Sequence, residues 1–245
     1  MRWICCIGVI LALFTLGGCT QASDDGRQGN SGATRVNGDV TADADGAHTV
    51  NGSIQVPSGL KTGDVVTVNG SIHIGDNATV DKASAVNGGI HLGEHTTAAA
   101  LTTVNGGISL ANGTHVSESV ATVNGSVTLQ SGSEIAGRLH NVNGTIRLQD
   151  AHVAAGIETV NGSIAVLGAS RVEGGIHVKK ANSFWLLRWF QSNGRQPRIV
   201  IGPGAVVQGE LRFERKVELY VSDKATIGPV IGATAQRFSG DQPPG

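Results

Sequence analysis

The triplet Val-Asn-Gly occurs eight times, with its asparagine at Asn37, Asn51, Asn69, Asn87, Asn105, Asn124, Asn143 and Asn161. After the first interval the spacing is 18 or 19 residues. A fixed period of this length is the mark of a repeat architecture, in which each copy is one structural unit. The third and fifth residues after the asparagine are apolar: Ile54 and Val56, Ile72 and Ile74, Ile90 and Leu92, Ile108 and Leu110, Val127 and Leu129, Ile146 and Leu148, Ile164 and Val166. The residue between each pair is polar or small, so the period is two and the segment reads as a strand with one face in and one face out.

Two more apolar positions recur in each repeat. One falls about eleven residues past the asparagine (Val80, Ala98, Val116, Ile135, Val172), the other about four before the next (Val65, Leu101, Val120, Leu139, Ile157). Each repeat therefore holds about three short strands separated by corners. Alone it buries almost nothing. Stacked on its neighbours it builds a continuous aliphatic column, each fully buried side chain contributing roughly 1.5–3 kcal/mol. Coils about 4.8 Å apart would make eight rungs span on the order of 34 Å.

The expected fold is all-β, a single-stranded parallel β-helix (β-solenoid) with coils of 18–19 residues. Asn-Gly would stand at one corner of successive coils, where the chain needs a conformation most residues resist. The asparagine amides would lie above one another as a hydrogen-bonded ladder. The competing reading is a hairpin at each Asn-Gly, giving an antiparallel sheet or sandwich; hairpins do not require equal residue numbers between turns. Composition agrees with a narrow solenoid: 36 glycines, 6 prolines, 4% aromatics, and no Phe, Trp or Tyr between Asn30 and Lys180. A hydrophobic fraction of 40% excludes a highly charged disordered chain. The net charge of −1 gives no reason to propose a nucleic-acid partner.

At the amino terminus Arg2 precedes the apolar run "WICCIGVILALFTL", too short for a comfortable membrane span. Its end, Leu16-Gly17-Gly18-Cys19, resembles the lipobox of bacterial lipoproteins. The resemblance implies that residues 1–18 are a signal peptide and that Cys19 is acylated, with palmitate among its chains, making the membrane a partner through lipid. Thr20, where an inner-membrane lipoprotein has Asp, implies the outer membrane. An ordinary signal peptide that happens to contain a cysteine is the alternative. Cys5 and Cys6 would leave with the signal, so Cys19 would be the one cysteine of the mature chain. Residues 19–33 are polar and Gly-rich, a tether.

Beyond the repeats (34–180), residues 181–196 concentrate Phe184, Trp185, Leu186, Leu187, Trp189 and Phe190. A short helix or loop capping the stack is one reading, since an open end exposes core and strand edges. An exposed contact for a partner or membrane, carried by Phe184, Trp185, Leu187, Trp189 and Phe190, is the other. Residues 197–238 return to strand character, and 239–245 read as a disordered tail. The phrases "IGPGAVVQGEL" and "VELYVSDKATIG" resemble the polymer-forming bactofilins. That resemblance implies a right-handed β-helix that joins end to end without nucleotide. The chain differs from those proteins in its lipoprotein signal, its Val-Asn-Gly body and its aromatic insert.

Enzymatic chemistry finds little purchase in the sequence. Glycoside chemistry needs paired carboxylates, but Asp39, Asp64, Asp76, Glu94, Glu118, Glu134, Asp150 and Glu158 fall at differing offsets from their asparagines. Too few aspartates recur at fixed positions for a calcium-binding repeat, and an acyl-CoA-dependent transferase would lack its donor outside the cytoplasm. His73 and His91 share one offset, with His95 nearby. They read either as solvated surface residues or as a Zn or Cu site. The expectation is a lipid-anchored structural protein of the cell envelope without cofactor or metal, self-associating through its ends. An adhesin-like or polysaccharide-binding module is the alternative, and an enzyme acting on envelope glycan ranks third.

Overall fold

The coil spanning Ile54 to Asn69 shows how the alternation becomes structure. Ile54–Val56 forms the first strand, with Ile54 and Val56 buried and Gln55 outside. A turn leads to Lys61–Thr62, and a second corner to Asp64–Asn69, which alternates out and in until the next Asn-Gly. Three faces result. The computed structural model describes residues 32–180 and 196–240, and throughout them this coil is stacked on copies of itself.

Every strand-to-strand pairing among the described residues is parallel, from Ala33–Asn37 at one end to Ala235–Phe238 at the other. This decides against hairpins. The first face is a sheet of 11 strands, one per coil; the second and third merge into one of 18. They merge because Thr79–Asn87 and Thr97–Asn105 run through the second corner as single strands. In Thr79–Asn87 the corner is two consecutive outward residues, Asp81 and Lys82, between buried Val80 and Ala83. No helix occurs among the described residues.

The interior holds the aliphatic positions anticipated from the repeat: Ile72, Val80, Leu101, Val116, Val127, Leu139 and Ile146 are all buried. Ile54, Ile72, Ile90, Ile108, Val127, Ile146, Ile164 and Ile199 follow one another in direct register. Each side chain is thus covered by its own counterparts above and below, which is how a chain so poor in aromatics closes a core. The stack begins with Ala33, within the segment assigned to the tether. The signal segment with Cys19, the residues 181–195 with Phe184, Trp185, Leu187, Trp189 and Phe190, and the last five residues lie outside the described residues.

Candidate functional site

The corner after the third face carries the anticipated ladder. Asn51 Nδ2 donates to Asn37 Oδ1 (2.8 Å), Asn69 to Asn51 (2.8 Å), Asn87 to Asn69 (2.8 Å) and Asn105 to Asn87 (2.9 Å). Asn124 donates to Asn105 (3.0 Å), Asn143 to Asn124 (2.8 Å) and Asn161 to Asn143 (2.9 Å). All eight amides are joined, and all donate toward the amino-terminal end. An exposed bond of this kind is worth about 0.5–1.5 kcal/mol.

At Gly88, Gly106 and Gly125 the glycine beside the asparagine is needed for a different reason from the one its sequence suggests. None of the ladder asparagines has a positive φ. A Cβ on Gly88 would stand 1.8 Å from the carbonyl oxygen of Gly70, and one on Gly125 would stand 1.8 Å from that of Gly106. Glycine is therefore fixed by the approach of the preceding coil. Positive φ recurs at the corner between the first and second faces, where Asn77, His95 and Gly113 have φ of 58°, 54° and 66°; at the Asn-Gly corner Gly38 and Gly144 share it, at 105° and 134°.

A further residue of the repeat escaped the sequence reading. Two positions before the asparagine the side chain points inward, and there Thr67, Thr103 and Thr122 each donate to the glycine carbonyl of the preceding coil at 3.0, 2.8 and 3.0 Å. The recurrence of Thr-Val-Asn-Gly was the available signal; a buried hydroxyl needs a partner, and that partner exists only between coils. The intervening valines point outward as a column. Val36, at the start, is 66% exposed, and those in the central coils are half-buried.

The ladder stops at Asn161. Thr159, Val178 and Phe213 are in register; two residues further on, Lys180 and then Arg215 occupy the asparagine's place. The described corner is interrupted after Lys180, since residues 181–195 lie outside the described residues. Arg215 reaches back to Asn161 Oδ1 and to the Val160 carbonyl oxygen (3.1 Å). Its guanidinium supplies the donor that the next asparagine would have given.

Around this interruption the third face becomes charged. Glu158, only 8% exposed, pairs with Lys179 and lies 3.7 Å from both Arg138 and His140. Burial holds the His140 imidazole below its usual range, against the pull of Glu158. His177 and Glu214 are 2.9 Å apart. The backbone N–H of Lys180, and then His177, hold Glu214 below the usual carboxylate range. A groove of about 260 Å³ crosses these coils, lined by Arg138, Glu158, His177, Glu210 and Arg212 together with Gly156 and Gly174. On the neighbouring face Glu134 lies between His115 (3.2 Å) and His152 (3.3 Å). These three carboxylates, Glu134, Glu158 and Glu214, are thus interleaved with cations and imidazoles, an arrangement that fixes a surface.

His73 and His91 do come together, as stacked rings with centroids 5.1 Å apart. His95 does not join them: it lies at the turn with positive φ, its ring over Gly113 of the next coil. No family model, curated protein or solved structure matches the chain.

Proposed function

We propose that the chain is a non-enzymatic structural protein of the bacterial cell envelope, anchored through lipid on Cys19 and self-associating through the ends of its solenoid. One observation carries this reading: among the described residues, the exposed large hydrophobic side chains are Val36 (66%), Val50 (39%) and Ile231 (47%), in the first two coils and near the last strand. Among the described residues, the terminal strands Ala33–Asn37 and Ala235–Phe238 each pair on one side only. An apolar rim beside an unpaired strand edge is what a further coil would cover. The central faces, by contrast, offer small polar side chains and half-buried valines. The lipobox-like Leu16-Gly17-Gly18-Cys19 supports the anchor, and Thr20 the outer membrane.

Sedimentation velocity of the full chain in detergent tests association: concentration-dependent growth is expected, with loss of growth in Val36→Lys and Ile231→Lys. A strict monomer at high concentration would remove the self-association. Cys19→Ser should release the protein from membranes. The groove lined by Gly156 and Gly174 favours a second reading, an envelope-polysaccharide-binding module, because it sets Arg138, Glu158, His177 and Arg212 along one cleft. Retention on peptidoglycan or another envelope glycan, lost in Arg212→Ala, would support it.

A further inference from the structure

We propose that His73 and His91 form a two-imidazole surface site for a borderline divalent transition-metal ion, Cu²⁺ in preference to Zn²⁺. The argument starts from register. Gln55, His73, His91 and Ser109 occupy one outward column on four successive parallel strands. The flanking residues of the two histidine strands, Ile72, Ile74, Ile90 and Leu92, are buried. Both imidazoles therefore spring from a backbone held by the core, one coil apart, and a site on such strands is better defined than one on a loop.

The rings lie 5.1 Å apart at an interplanar angle of 11°. Stacked flat, like nitrogens are too far apart to share an ion that holds each at about 2.0 Å. Tilting the rings toward each other closes the difference, and an exposed histidine such as His73 has the rotamer freedom to do so. Glycine at position 89 leaves room at the ring: a Cβ there would stand 2.9 Å from His91 Nε2.

Four other histidines of the outer faces are differently placed. His115 and His152 flank Glu134, His140 lies beside Glu158, and His177 pairs with Glu214. Where imidazole meets carboxylate, the ring is oriented by a hydrogen bond or ion pair; His73 and His91 instead face each other. Among the described residues no group of three or more His, Cys, Asp or Glu is placed to hold a metal. The site thus offers two protein ligands, with water completing the shell, and is an exchangeable chelate. Imidazole nitrogen with open positions suits Cu²⁺, which binds such donors more tightly than its divalent neighbours.

Titration of the full chain in detergent with CuCl₂ and with ZnCl₂, followed by calorimetry and by electron paramagnetic resonance of the copper complex, tests the site. Copper should bind more tightly than zinc, with hyperfine structure from two nitrogens. His73→Gln and His91→Gln, which extend the column begun by Gln55, should each weaken copper binding on the order of tenfold or more and leave one nitrogen. His95→Gln should change neither. In the unsubstituted protein, copper should broaden the amide resonances of Ile72, Ile74, Ile90 and Leu92 first, a readout independent of any variant's folding. Unchanged affinity and hyperfine structure in both single variants, or broadening centred elsewhere, would overturn the proposal.

Discussion

The coils before the interruption and those after it share one cross-section but are held at the third corner by different chemistry. Up to Asn161 the corner is a column of amides, each donating to the one before, with valines outward beside it and threonine hydroxyls inward. Beyond it the valine column turns into Lys179 and Glu214, and the outward neighbours two residues earlier are Glu158, His177 and Arg212. Identical neutral groups can repeat indefinitely, because each amide carries both a donor and an acceptor. Charged groups do not repeat indefinitely in this way, because like charges stacked one coil apart repel. The first region is therefore uniform and its repeat legible, whereas the second is irregular and its partners are set one by one.

The largest effect should come from breaking the uniform region at its closest approach. Gly88→Ala places a Cβ against the Gly70 carbonyl oxygen and should cost about 3 kcal/mol. Gly59→Ala, with open space around its Cβ but φ of 72°, should cost about 1 kcal/mol. Urea unfolding of both variants checks the order, and equal losses would mean that the coils are not in contact at the Asn-Gly corner. Next in size, Glu158→Gln should destabilise the second region by about 2 kcal/mol, because Lys179, Arg138 and His140 would lose the carboxylate that sets them. Since Lys179 and Arg138 keep access to solvent, the loss falls short of that for a fully buried pair. Amide exchange should locate it in the coils from Arg138 to Arg212, with the ladder coils unaffected.

The smallest effect is a dependence on pH in the second region. His140 titrates below its ordinary value of 6.5 in the folded chain. The unfolded chain therefore binds the proton first, and the stability His140 supports is whole above pH 6.5, lost as the pH falls below it toward the folded-state value. Unfolding midpoints measured from pH 7.5 downward should decline across that window, and His140→Gln should flatten the decline. Glu214, held low by the Lys180 N–H and His177, adds a further loss below the ordinary carboxylate value of 4.5.

The solenoid was legible because a strand face and a repeat period are both local signals. Ile72, Ile74 and Val80 declare their burial through spacing alone, and the equal intervals between asparagines favoured stacked coils over hairpins. The amide ladder was legible for the same reason: residues in one position of equal coils must stand above one another. The sequence also determined that His73 and His91 share a column. What only the tertiary structure decided concerns the distance between coils and the ends of side chains. Gly88 owes its identity to an oxygen eighteen residues earlier, at Gly70, and not to its own dihedral angles. Arg215 completes a ladder whose last asparagine lies 54 residues before it. Glu158 becomes buried because residues from neighbouring coils converge on it. Periodicity fixes which residues are neighbours, but contact depends on the length and direction of each side chain across a gap that the folded stack alone defines.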